Sequence, residues 1–196
     1  GPLQENCYLL SHGGQAVLVD PGDEAERLLG ALGGLELQAV WLTHAHFDHI
    51  GALADVLDRY DVPVHLHPAD LPLLENAAAS AAYFGLAVRQ PDVTPLPLTH
   101  GQKLTVGDLE ATCLYTPGHA PGHVAFYVPA AGFVLAGDAL FQGSVGRTDL
   151  PGGDHAQLLA SIRRERLTLP GGTVVYPGHG PATTVGVEGR TNPFLG

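Results

Sequence analysis

Short apolar runs, cut at close intervals by glycine, proline and polar pairs, set the plan of this chain. Residues 7–10 and 16–20 read as two strands joined by the His12-Gly13-Gly14 turn, a hairpin signal. Pro21-Gly22 ends the second strand, and residues 23–32 predict a short helix closed by Gly33-Gly34. Residues 39–42 are a buried strand, and the apolar positions 50, 53, 57 and 60 fall on one face of a following helix. A strand at 62–66 and a helix opened by Pro68 and running to 74 come next. Residues 75–98 carry no clear period: 77–84 are small and apolar, and 91–97 read as a loop. Strands are predicted at 103–106, 109–115, 124–128, 133–136 and 173–176. Asp154 is an N-cap for a helix to 169. Hairpins outnumber βαβ units, so the predicted class is α/β with two mixed, mainly antiparallel sheets; with helices outside them these make an αββα sandwich.

Composition narrows the partners. The chain has 196 residues and 45% apolar content, enough for one well-filled core. No apolar stretch approaches the roughly 20 residues needed to span a bilayer. Nine Lys+Arg stand against 20 Asp+Glu, a formal charge of −11. Binding to phosphate backbones depends on Lys and Arg, so neither nucleic acid nor an anionic membrane is an expected partner. Cys7 and Cys113 are too few for a disulfide framework and read as reduced thiols of a cytoplasmic protein. The chain contains no methionine, so residues preceding Gly1 are expected.

The candidate chemistry lies between the strand at 39–42 and the helix after it. Thr43-His44-Ala45-His46-Phe47-Asp48-His49 packs three imidazoles and a carboxylate into a strand-to-helix turn, a donor set suited to zinc, iron or manganese. Three later segments repeat one design, an apolar strand, a glycine, then a potential ligand: Gly118 before His119, Gly137 before Asp138, Gly178 before His179. Spacing alone does not assign these ligands to particular metals. His123, four residues after His119, reads as a supporting or structural residue. Tyr83 and Phe84 read as packing, with a wall of the substrate pocket as the alternative.

The set His44, His46, Asp48, His49, His119, Asp138 and His179 resembles the metal site of the metallo-β-lactamase superfamily, in order and in context. The resemblance runs from Asn6 to about Phe194 and implies one domain over residues 1–196, with no separate C-terminal helical domain. It also implies two divalent cations, zinc foremost, about 3.5–4 Å apart. His44, His46 and His119 would hold the first, Asp48, His49 and His179 the second, and Asp138 both. Phe141-Gln142-Gly143-Ser144-Val145-Gly146-Arg147-Thr148-Asp149, Gln4 to Tyr8 and Thr191 to Phe194 look like the short bacterial glyoxalase II-like branch. That implies a hydrolase using a metal-bridging hydroxide on a small-molecule thioester resembling S-lactoylglutathione. Asp138 and Asp48 would be catalytic, and Arg147 would bind substrate. Asp149 stands where glyoxalase II carries an active-site tyrosine. The alternatives are a mononuclear iron persulfide dioxygenase and a non-catalytic metal-binding member of the fold.

Overall fold

The computed structural model describes residues 1–166 and 168–196. These gather into two compact units, residues 1–98 with 105–109, and residues 99–104 with 110–196.

The first unit is built on a five-stranded sheet in the order β1-β2-β3-β4-β5: β1 (Tyr8–His12), β2 (Gln15–Val19), β3 (Glu36–Trp41), β4 (Val64–Leu66) and β5 (Leu96–Pro97). The expected hairpin is present, with β1 antiparallel to β2 and His12 opposite Gln15. The remaining neighbours, β2–β3, β3–β4 and β4–β5, are parallel. This sheet therefore departs from the mainly antiparallel pairing expected of it. The reason is that helical segments occupy each connection: α1 (Ala25–Leu32), then α2 (Phe47–Ile50) and α3 (Leu53–Arg59), then α4 (Leu71–Glu75) and α5 (Ala77–Tyr83). A helical crossover returns the chain to the same end of the sheet and makes the next strand parallel. Burial agrees: Ala16, Val17, Leu18 and Val19 are all inside, the continuous apolar run of a strand covered on both faces. Leu18, Val40, Leu42, Ile50, Leu53 and Val56 share one core.

The helix expected over 50–60 is broken in two by Gly51-Ala52. A Cβ at Gly51 would sit 2.3 Å from the Gly22 carbonyl, and one at Gly22 would sit 2.1 Å from the Asp48 carbonyl. Ala52 N–H donates to Pro21 O at 3.0 Å. The Pro21-Gly22 turn thus presses directly on the backbone of α2, which only glycine permits. Within residues 77–84, aperiodic in sequence, 77–83 form α5 because Ala77 and Ala81 bury one small face.

The six-stranded sheet has the order β13-β12-β9-β8-β7-β6. Its strands are β6 (Lys103–Val106), β7 (Leu109–Tyr115), β8 (Val124–Val128), β9 (Phe133–Gly137), β12 (Val174–Pro177) and β13 (Thr183–Thr184). Here β7–β8, β8–β9 and β12–β13 are antiparallel, as expected, and β9–β12 is parallel. A short ribbon, β10 (Leu140–Phe141) with β11 (Ser144–Val145), follows β9. Asp154 caps α6 (His155–Ser161) by accepting from Gln157 N–H at 2.9 Å, and Ile162–Arg166 continues it as a π-helical turn. Of the remainder expected to 169, residue 167 lies outside the described residues, and Thr168 and Leu169 form a turn and a bend rather than helix. Helix α7 (Val185–Thr191) closes the second unit; Leu158, Ile162, Val175 and Val185 meet Val134 and Ala136 in its core.

Candidate metal centre

Strand β3 runs into the His-x-His-x-Asp-His turn through buried Leu42 and Thr43, and α2 begins at Phe47. His44 and His49 are fully buried. The ring of His44 lies 4.7 Å from that of His46 and 4.1 Å from that of His49. Asp48 sits on α2 with Oδ2 4.0 Å from His49 Nε2, and its side chain keeps 19% of its surface. All four predicted ligands of this turn are thus gathered in the first unit.

Asp20 orders them. Its Oδ1 accepts from Thr43 N–H at 2.7 Å, and its Oδ2 accepts from Thr43 Oγ1 at 2.6 Å. The hydroxyl has only one proton, so toward His44 Nδ1, 3.0 Å away, Thr43 Oγ1 accepts. His44 therefore carries its proton on Nδ1 and leaves Nε2 as a lone pair. His49 Nδ1 lies 3.0 Å from Asp20 Oδ2 and donates to it, which leaves Nε2 of His49 in the same state. Glu5 brings a second carboxylate to 3.8 Å from that Nδ1. One carboxylate fixes two imidazole tautomers, directly and through a hydroxyl, as partners of metal-binding histidines do. Donor atoms of Asp20, His44 and His49 all lie within 4.8 Å of one another. The oxygens of Asp20 are already engaged by Thr43 and His49, which makes it an orienting residue. Asp70, also fully buried, accepts from Ala45 N–H at 3.1 Å and holds the backbone between His44 and His46.

The second unit gathers the other three. Asp138 leaves the end of β9 and is largely buried. Its Oδ2 lies 3.6 Å from His119 Nε2, and its Oδ1 lies 3.1 Å from His179 Nδ1. The carboxylate thus turns one oxygen toward each histidine. His119 Nδ1–H donates to the carbonyl of Arg147 at 2.8 Å, so its Nε2 is again the lone pair. The turn that delivers His119 needs Gly118: φ is +131°, and a Cβ would meet Leu158 N at 2.2 Å. His123 Nε2 accepts from Asp138 N–H at 3.0 Å, and its Nδ1–H donates to Thr116 Oγ1 at 2.9 Å. Both of its nitrogens are engaged, so it supports the Asp138 backbone.

Arg147 contributes its carbonyl to His119, while its exposed guanidinium forms two parallel bonds to Asp149 at 2.7 and 2.8 Å. Those hydrogen bonds hold the Asp149 carboxyl down at about 2, and the Arg147 guanidinium is raised in turn. The turn after Asp138 is anchored by buried Glu188 on α7, which accepts from Gly143 N–H at 2.9 Å and from Asn192 Nδ2 at 2.8 Å.

Sequence reading missed Asp20, Asp70 and Glu188. Asp20 had a visible signal, an apolar strand ending in a carboxylate just before Pro21-Gly22, close to the design that marks the later ligands.

Residues 1–179 match the metallo-β-lactamase superfamily model. Among curated relatives, the probable metallo-hydrolase YqgX of Bacillus subtilis is 44% identical, over all of this chain and 94% of its own length. Hydroxyacylglutathione hydrolase GloC of Haemophilus influenzae is 37% identical, over 98% of this chain and 93% of its own. Among solved structures, TTHA1623 in a di-iron-bound form superposes with a TM-score of 0.93 at 54% identity, covering 100% of this chain and 97% of that one. The BLEG-1 B3 metallo-β-lactamase gives the same TM-score at 44% identity, covering 100% and 96%. The chain belongs to the metallo-β-lactamase superfamily and has its fold.

Proposed function

We propose that this chain is a dinuclear metal-dependent hydrolase that cleaves a thioester. The observation that carries the two-metal reading is Asp138, whose two oxygens face two different histidines. The donors fit divalent cations: imidazole Nε2 lone pairs are set at His44, His49 and His119 by partners on Nδ1. By the family pattern, His44, His46 and His119 would hold one cation, Asp48, His49 and His179 the other, and Asp138 both. The di-iron-bound form described for the 54% identical neighbour supports this loading. Zinc and iron both suit such ligands.

When bound, the two cations would supply a nucleophile from water at neutral pH and polarise the scissile carbonyl. The residues of the chain do the rest. Asp20 and the Arg147 carbonyl keep the imidazoles in register. Asp48, which keeps some exposure, would orient that nucleophile. A thioester suits what the chain lacks: its one lysine, Lys103, is paired with Glu110, and a thiolate leaves without an acid to protonate it. The hydroxyacylglutathione hydrolase activity in the name of the 37% identical relative supports the same substrate class.

Elemental analysis of purified, metal-reconstituted protein should find about two ions per chain. Chelator should abolish thioester turnover, and added zinc or iron should restore it. One ion or none at full activity would overturn the dinuclear reading.

Arg147 is proposed to bind an anionic group of the substrate, exchanging its Asp149 partner for a substrate carboxylate of matching geometry. Arg147→Ala should raise KM for S-lactoylglutathione several-fold, roughly 3–10-fold, with kcat nearly unchanged. An uncharged thioester should be affected less. Equal losses on both substrates would make Arg147–Asp149 a structural pair.

A further inference from the structure

The helix α5 is built of small residues and carries bulk only at its C-terminal end. Ala77 and Ala81 are fully buried, whereas Tyr83 is 86% exposed and Phe84 49% exposed. The two rings meet edge to face at 5.3 Å, and Phe84 lies 5.6 Å from Phe47, tilted by 33°. Phe47 is the first residue of α2 and immediately precedes Asp48. Three aromatic rings thus run in contact from the surface to Phe47, which lines one cavity together with Asp48, Leu86 and Val88. Core packing does not account for them, because Tyr83 is largely in water and Phe84 about half so.

Leaving two large aromatic side chains exposed forgoes the stabilisation that burying them would give. A contiguous exposed apolar patch of this kind marks a contact surface. Its chemistry is narrow: residues 77–88 hold no charged side chain in a chain of net charge −11. This segment therefore offers no cation to a carboxylate and no acid to an amine, and its only polar side-chain groups are the hydroxyls of Ser80 and Tyr83. Its rings suit an uncharged, mainly apolar group.

Resting on the thioesterase reading above, we infer that Phe47, Phe84 and Tyr83 form a specificity surface for the acyl part of the substrate, and that this part is an extended aliphatic or aromatic group. Asp48 marks where the reacting carbonyl would lie, and the aromatic run leads away from it. The acyl chain, held at the carbonyl, would lie along the rings.

The test is a series of thioesters of one small uncharged thiol, with acyl groups from acetyl to octanoyl, on metal-loaded protein. The matching non-hydrolysable thioethers are titrated calorimetrically alongside. In the parent protein kcat/KM should rise by up to about fourfold per methylene that reaches the rings. In the Tyr83→Ala/Phe84→Ala double variant that rise should flatten, costing the octanoyl ester about 10–100-fold and the acetyl ester under about twofold. Both changes lie on the surface, and circular dichroism checks that the fold is kept. A parent protein indifferent to chain length, a double variant as chain-sensitive as the parent, or equal losses on acetyl and octanoyl esters would each overturn the inference. The thioethers separate the two claims. Chain-length-dependent binding lost in the double variant, with no thioester turned over, would sink the thioesterase reading and keep the apolar surface.

Discussion

Replacing Asp138 with alanine is expected to lower thioester turnover by about 10³-fold, the upper end of what loss of a single electrostatic stabiliser costs. Metal content should fall at both sites rather than one. The geometry sets the size of the effect. Asp138 turns Oδ2 toward His119 and Oδ1 toward His179, one oxygen to each of these two candidate ligands. Two cations sharing one site repel each other, and a carboxylate between them supplies the charge that offsets this. Asp138→Asn keeps the shape and removes the charge. It should lose the metals almost as fully, which distinguishes a charge effect from lost packing. His179→Ala should weaken one ion only. Inductively coupled plasma analysis of the three variants reads the difference, and an Asp138→Ala protein holding two ions at full turnover would remove Asp138 from the centre.

The second large effect is expected at Asp20, which is buried behind His44 and His49. An amide in its place has one acceptor oxygen where the carboxylate has two. If that oxygen keeps Thr43 N–H, the NH₂ faces Thr43 Oγ1 and His49 Nδ1. The hydroxyl must then accept from the amide and donate to His44 Nδ1, and His49 Nδ1 must also become an acceptor. Both imidazoles would move their protons onto Nε2, the atoms required for metal. Asp20→Asn is therefore expected to fold and to lose about 10–100-fold in metal affinity, the usual cost of removing a partner behind a metal-binding histidine. Chelator competition measures the affinity, and ¹⁵N shifts of the ring nitrogens report the tautomers. Affinity within about twofold of the parent, or unchanged ring shifts, would show that the tautomers are set elsewhere.

The candidate ligands could be picked out because each obeys a local rule. An imidazole-rich turn after a buried strand, and three strand–glycine–ligand repeats, announce themselves without tertiary information. Their supporting residues do not. Asp20 acts through a hydroxyl 23 positions away, and Glu188 through the backbone of Gly143, 45 positions away. Such pairings exist only once the strands are assembled. The strand direction in the first sheet was misjudged for a different reason. Helices were expected at 23–32, 50–60 and 68–74, each following a strand of this sheet, but weighing hairpins over the whole chain hid the βαβ crossovers that these helices make here. The break at Gly51 was hidden too, because it is imposed by Gly22 across space rather than by a local stop signal.

The construction of α5 has a consequence for descent. Its inner face is alanine, and its recognition surface is confined to the last turn and the residue after it. Substitutions at 83 and 84 alter what the surface accepts without disturbing the packing of Ala77 and Ala81. Exposed positions of this kind change at a stability cost usually within about 0.5 kcal/mol. A lineage carrying this helix can therefore trade one acyl preference for another by single steps, each folding as well as the last, while the candidate metal ligands stay as they are.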